Sequence, residues 1–264
     1  MLKKNYKFKE KSYKYWVSRM SNKERQVCTS DFQLDLLEED QIIKRIKDKK
    51  TILEIGSGNG ILLKRLLKSK KIKEYIGTDL VTELTNISQK KFKSFKNLSF
   101  LQKDMTLINK TSFNNKFDYI ISKRAIQNVL NSGLQLKTID NVGHHLKKNG
   151  LMILVESSAS AQKNINFLRG KYNLPKIQPP FHNLFFNDSK IMKYKFQNLK
   201  LVGIDNFSSN FYFITRIIYA YYAKNYTKEK IKYSHGLNKI ALMINDNLLN
   251  LDLSQVKTYL FKKK

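Results

Sequence analysis

Apolar and polar positions alternate along the chain in a repeating order. From Asp31, a residue suited to cap a helix, Leu34, Leu37, Ile42, Ile43 and Ile46 recur at helical spacing. Thr51-Ile52-Leu53-Glu54-Ile55 is then a short apolar run ending at glycines, and Ile61 to Leu67 has an amphipathic helical pattern. The order strand, glycine turn, helix is followed by more of the same. Tyr75 to Asp79, Leu98 to Leu101, Phe117 to Ser122 and Leu151 to Glu156 read as four further strands. Helices are expected over about 82–94 and 134–147, the second stopped by Asn149-Gly150. Near-continuous apolar strands separated by amphipathic helices predict a mostly parallel sheet covered on both faces.

The ends are less regular. Residues 1–30 are basic and aromatic with little periodicity, and Tyr15, Trp16 and Arg19 there are placed to fold over a ligand as a lid or to anchor a helix to the core. After Ser160 a helix is expected over about 160–172, then a loop holding Pro175, Pro179 and Pro180. Leu199 to Asp205 and Val256 to Phe261 read as sixth and seventh strands, with a helical insertion over about 209–250 between them. Its aromatic stretch, Phe211-Tyr212-Phe213 through Tyr221-Tyr222, suits a core, a dimer face or the lining of an acceptor pocket. With no repeat and no low-complexity linker, residues 1–264 read as one domain: a cap over 1–48, a core over 50–160 and an elaboration over 161–264.

Charge changes this picture less than its size suggests. Lys and Arg number 50 against 21 Asp and Glu, a net +29. That imbalance suits nucleic acid, an anionic membrane or an acidic substrate. Yet only seven of the cations are Arg, and the Lys are spread along the whole chain with abundant Asn and Ile, as coding bias would leave them. Nucleic-acid interfaces favour the planar, bidentate guanidinium. The single cysteine, Cys28, excludes a disulfide framework and a cysteine-based metal site. Met1 to Tyr6 lacks the apolar run of a secretory signal, and the longest apolar stretch, Phe211 to Ala223, contains Arg216. A soluble, cytoplasmic chain without a transmembrane helix is expected.

The chemistry concentrates at Glu54-Ile55-Gly56-Ser57-Gly58-Asn59-Gly60. A glycine-rich turn between strand and helix lets backbone approach a ligand closely. A dinucleotide turn would read G-x-G-x-x-G, but here the spacing is G-x-G-x-G and Ile61 stands where the last glycine would be. Glu54, two residues before the first glycine, would repel a diphosphate and welcome an ammonium or sulfonium. Asp79, 23 residues after Gly56, ends the second strand, where a carboxylate accepts from ribose hydroxyls. Asp104 follows the third strand and is placed to accept from an adenine amine. Both aspartates also suit helix caps.

In this order the residues resemble the class I S-adenosylmethionine-dependent methyltransferases over about residues 50–156. The glycine turn corresponds to the family's first motif, Asp79 to its acid after strand two, Lys103-Asp104-Met105 to its segment after strand three and Phe117 to Ser122 to its fourth strand. Leu146-Lys147-Lys148-Asn149-Gly150 is similar to its "LKPGG" turn, without the proline. The resemblance implies a Rossmann-like α/β fold, a seven-stranded, mostly parallel sheet with a reversed last strand, and S-adenosylmethionine as cofactor. It implies a cofactor site at Glu54, Gly56, Ser57, Gly58, Gly60, Asp79, Leu80, Asp104, Met105 and Ser122, with Glu54 meeting the methionyl amine directly or through water; from the residues themselves no metal site is expected.

The acceptor is less constrained. Ser122-Lys123-Arg124-Ala125 replaces the Asn/Asp-Pro-Pro-aromatic motif of nucleic-acid amino-methyltransferases, and Gln178-Pro179-Pro180-Phe181 lies elsewhere. Arg124 to Leu130, Phe167-Leu168-Arg169 and Pro180 to Phe186 are more loosely similar to methyltransferases of surface-polysaccharide biosynthesis. That similarity implies a sugar or another small hydroxylated acceptor. Expected catalytic residues are His182, near neutral pKa, and Glu156, at the end of strand five, as bases, with Arg124 clamping an acidic substrate. His144-His145 read as surface residues favoured by a helix dipole. RNA methylation, a non-catalytic cofactor-binding subunit and a homodimer remain open alternatives.

Overall fold

The computed structural model describes residues 2–21, 29–244 and 252–264. Cys28 and the end of the expected 209–250 insertion lie outside the described residues. The strands are β1 (Lys50–Ile55), β2 (Ile72–Asp79), β3 (Leu98–Gln102), β4 (Phe117–Lys123), β5 (Leu146–Ser157), β6 (Leu199–Asp205) and β7 (Val256–Lys263). They form one sheet in the order β3-β2-β1-β4-β5-β7-β6. β1 to β5 pair in parallel, whereas β7 runs antiparallel to both β5 and β6, the reversed last strand expected.

Alternate side chains of the central strands enter two cores. Ile52, Tyr119, Ile121, Ile153 and Val155 face one, while Leu53, Ile55, Ile120, Met152 and Leu154 face the other. Burial of both pleat faces explains why these strands are apolar throughout. The first core is covered by α2 (Phe32–Ile43) and α3 (Ile61–Lys68), and the second by α5 (Ser132–Gly143). Asp31 caps α2 by accepting from the Leu34 N–H at 3.2 Å. The remaining helices are α1 (Leu2–Ser18), α4 (Thr82–Lys91), α6 (Ala159–Lys171) and α7 (Asp188–Lys193). In the insertion, α8 (Ser209–Tyr212), a π-helical turn (Phe213–Ile218), α9 (Tyr219–Tyr222) and a second π turn (Ala223–Thr227) run on without a break, and α10 (Gly236–Met243) follows.

Three expectations shift. α5 ends at Gly143 rather than near residue 147, because β5 already begins at Leu146, paired with Phe117. Asn149 adopts a left-handed φ of 65° within β5, and a Cβ on Gly150 would lie 2.9 Å from the Lys147 carbonyl oxygen, so Asn149-Gly150 bends a strand rather than stopping a helix. His145 is buried, not a surface residue: its Nε2 lies 2.7 Å from the Asn109 carbonyl oxygen and its ring meets Phe113 edge-on. The aromatic stretch divides, with Phe211, Tyr212 and Tyr219 in the core and Tyr221 and Tyr222 exposed. No helix among the described residues is long and apolar enough to cross a membrane.

Candidate active site

After β1 the chain passes through Gly56, Gly58 and Gly60 at φ of 72°, 53° and 74°. A Cβ on Gly56 would fall 2.2 Å from the Ala125 Cβ, and one on Gly60 2.6 Å from the Phe92 ring. Gly56 thus admits the loop after β4, and Gly60 lets the start of α3 approach α4, the packing role that a dinucleotide turn gives its last glycine. The Gly56 and Ser57 N–H groups donate to the Thr78 carbonyl at 2.7 and 2.9 Å, tying the turn to β2.

This turn opens on a cavity of about 780 Å³, within the range of about 300–1,000 Å³ that suits a small-molecule site. Gly56, Gly58, Asp79, Leu80, Asp104 and Met105 line one part of it. Asp79 accepts from the Gly58 N–H at Oδ2 and the Val81 N–H at Oδ1, both at 2.9 Å. Burial outweighs these donors and raises its pKa. A carboxylate accepts about four hydrogen bonds, so Asp79 keeps capacity for a ligand's hydroxyls. Asp104 Oδ1 caps the 3₁₀ turn Met105–Leu107, accepting from the Thr106 N–H and hydroxyl at 2.9 and 2.7 Å.

Other expected site residues stand behind this wall. Glu54, 2% exposed, accepts from the Tyr75 hydroxyl at 2.6 Å inside the sheet, and burial pushes its pKa to about 7. Ser57 and Gly60 are not on the lining, and neither is Ser122, whose hydroxyl donates to Glu156 at 2.7 Å. Glu156 does not face the crevice as a base would. It is fully buried and also accepts from the N–H groups of Ala125, Ile126 and Gln127 at 3.2, 2.9 and 3.1 Å. Burial pushes its pKa to about 7 against these bonds. Its geometry is that of an anchor for the loop after β4, whose Ala125, Gln127 and Asn128 line the cavity.

The opposite part of the cavity is built from α1, the proline loop and the insertion. Tyr15, Trp16 and Arg19 line it together with His182, Asn183, Tyr212, Arg216 and Tyr233. The His182 ring stacks on Tyr15 at 4.4 Å and meets the edge of Trp16 at 5.3 Å. Burial, then the Arg19 charge, lowers the His182 pKa to about 4 rather than near neutrality, so the imidazole is uncharged at pH 7. Arg124, at φ 55°, lines the cavity with its Nε 3.0 and 3.1 Å from the two Glu38 oxygens.

Sequence reasoning missed the acidic face of α2 that meets these cations. Asp31 pairs with Arg216, Asp35 and Glu39 with Lys123, and Glu38 with Arg124. The signal was the spacing of acids at 31, 35, 38 and 39, one helical face in an acid-poor chain. The sequence pattern alone carries no comparable sign of Arg216 and Tyr233, whereas Tyr212 falls in the aromatic stretch for which an acceptor-pocket lining was one expectation.

Comparison with known proteins agrees with this architecture. The model of a family described as a methyltransferase domain matches residues 46–208. The chain belongs to this family, within the class I S-adenosylmethionine-dependent methyltransferases, and S-adenosylmethionine is its cofactor. Among curated proteins nothing matches the chain. Among solved structures, the N-methyltransferase NodS from Bradyrhizobium japonicum, in complex with S-adenosyl-L-homocysteine, aligns at TM-score 0.55 and 11% identity, covering 95% of this chain and 97% of its own. The Haemonchus contortus phosphoethanolamine N-methyltransferase 1 aligns at 0.58 and 14%, covering 96% of this chain and 48% of its own. A TehB-like methyltransferase from Corynebacterium glutamicum aligns at 0.50 and 14%, covering 86% and 88%.

Proposed function

We propose that the enzyme methylates an oxygen of a small hydroxylated acceptor, a sugar or related metabolite, held between α1, the proline loop and the insertion. The cofactor lies, in this reading, against Gly56, Gly58, Asp79, Leu80, Asp104 and Met105, with Asp79 taking the ribose hydroxyls. Glu54 acts from behind the glycine turn, its carboxylate favouring a cationic ligand across the backbone. S-adenosylmethionine supplies an activated sulfonium methyl, so the demand on the protein is to hold the acceptor oxygen close and aligned.

One observation carries the acceptor class. Two buried amide oxygens, Asn128 Oδ1 and Asn183 Oδ1, and one buried imidazole nitrogen, His182 Nδ1, lack a hydrogen-bond partner among the described residues, and all three residues line the cavity. Buried polar atoms are seldom left unpaired, so a site holding several acceptors suits a ligand that brings several donors, as a polyol does. Tyr15, Trp16 and Tyr212 offer aromatic faces to the apolar side of such a ring. The uncharged His182 accepts the hydrogen bond of the reacting hydroxyl and takes its proton as the methyl ether forms. Incubation with methyl-labelled S-adenosylmethionine and a panel of sugars, polyols, amines and total RNA tests this reading. Label in a hydroxylated small molecule is expected. Label confined to RNA or to amines overturns it.

A further inference from the structure

The cations on the cavity wall are not equivalent. Lys123 Nζ lies 2.5 Å from Asp35 and 3.1 Å from Glu39, and Arg124 Nε donates to Glu38, so each is directed into carboxylates of α2. Arg216 is engaged on one side only. Its Nη2 donates to Asp31 Oδ2, while Nη1 is buried and has no partner among the described residues. A buried donor left without an acceptor is costly, the more so when charged. In a cavity-lining residue, a ligand is the natural acceptor for it.

The surroundings of Arg216 restrict how that ligand arrives. The guanidinium lies 5.3 Å from the ring centroids of both Tyr212 and Tyr233 and 6.0 Å from that of Phe211. Aromatic rings against a guanidinium leave its N–H edge for hydrogen bonds in the plane, the direction from which carboxylate and phosphate oxygens bind. Tyr212 is buried, and burial raises its phenol pKa despite Arg216 and Arg124 nearby, so it remains a neutral donor. The charged groups around this corner are Arg216, Arg124 and Arg169 against Asp31, Asp35 and Glu38, and burial pushes Glu38 to a pKa of about 7. Arg216 also sits in the π-helical turn Phe213–Ile218, whose widened register is uncommon and recurs at functional sites. The Arg169 guanidinium donates to the Arg216 carbonyl and holds that turn.

We infer that the corner formed by Tyr212, Arg216 and Tyr233 is a subsite for an oxyanion of the acceptor, a carboxylate or phosphate, so that the substrate is an anionic hydroxylated molecule. The inference rests on the acceptor reading above and narrows it. Arg216 Nη1 and the Tyr212 phenol donate to the oxyanion, and Asp31 holds the guanidinium in place from the other side.

Calorimetric titration of the enzyme saturated with S-adenosylhomocysteine tests it, with glucuronate, glucose 6-phosphate and glucose as probes. At least one anion should bind tenfold or more tightly than glucose, and the better of the two tells carboxylate from phosphate. Arg216→Met should cut that affinity at least tenfold and leave S-adenosylhomocysteine affinity within twofold. Tyr212→Phe, which keeps the Asp31–Arg216 pair, should cut it severalfold and decides the matter if Arg216→Met does not fold. The subsite is overturned if neither anion binds, if glucose binds as tightly, or if anion affinity survives the substitutions. A neutral sugar methylated equally by wild type and Arg216→Met would refute the subsite and leave the methyl-transfer reading intact. Anion binding that depends on Arg216, with label going only to RNA, would do the reverse.

Discussion

At Asp79 a single carboxylate both shapes the glycine turn and faces the cavity. Its bonds to the Gly58 and Val81 N–H groups hold the side chain still, so the capacity left on its oxygens is aimed before any ligand arrives. Asp79→Ala is expected to weaken S-adenosylhomocysteine binding by about 1.5–3 kcal/mol, roughly ten- to 150-fold, read by calorimetry. Unchanged affinity would contradict the ribose assignment. His182 gives a second measurement. Its folded pKa of about 4 lies below the ordinary 6.5, so between these values the unfolded chain binds more protons than the native one. The stability this group contributes is present above about pH 6.5 and is lost as pH falls through about 4, at no more than about 1.4 kcal/mol per pH unit. The melting temperature of His182→Phe should therefore fall less steeply than that of wild type over this window; parallel curves would show that the imidazole is not held neutral. The buried Glu38, Glu54 and Glu156 act with the opposite sign, their pKa values raised to about 7, so their contribution is present below about pH 4.5 and lost as pH rises through 7. They are common to both proteins and leave the difference to His182.

Elements were legible where one periodicity ruled and obscure where two signals competed. β1 to β4 stand out because each is a short apolar run closed by Gly, Asp or a polar turn; both faces of the central β1 and β4 are buried, whereas in the edge strand β3 only Phe100 is. The start of β5 was hidden because Asn149-Gly150 carries the composition of a helix stop, while the pairing of Leu146 with Phe117 that decides the matter is a long-range contact. α1 seemed aperiodic among its lysines, yet its Tyr13, Trp16 and Val17, with Met20 in the 3₁₀ turn that follows, recur at spacings of three and four and pack on Val81 and Leu84. That pattern was present and was masked by charge. The site shows the same division. Gly56, Gly58, Asp79 and Asp104 follow strand ends and could be read directly, and Glu156 was placed correctly on its strand but turned inward by three backbone N–H groups. The π turn that sets Arg216 against the cavity has no sequence signature, since its register differs from an α-helix by one hydrogen-bond step that no residue type dictates.

For the molecule as a whole, the charge of +29 and the site tell different stories. Seven of the 21 carboxylates stand on or just behind the cavity wall: Asp31, Asp35, Glu38 and Glu39 at the start and along one face of α2, and Glu54, Asp79 and Asp104 at or near strand ends. Most guanidiniums are turned towards them or towards other acids. Arg65 pairs with Glu39 and Asp40, Arg124 with Glu38, Arg216 with Asp31 and Arg45 with Asp205, while Arg169 donates to the carbonyls of Pro175 and Arg216. The outward positive charge is thus mostly lysine, which attracts phosphates without the bidentate geometry that reads a base. Such a surface binds RNA as any polycation does, through counterion release, with affinity that falls steeply with salt. Filter binding to a structured RNA should give a dissociation constant of about 10⁻⁶ M or weaker at physiological salt, and excess RNA should not slow methyl transfer to the small acceptor. Tight RNA binding that persists at that salt and inhibits transfer would place the acceptor among nucleic acids, and the lysines would then be part of its interface rather than a trace of codon usage.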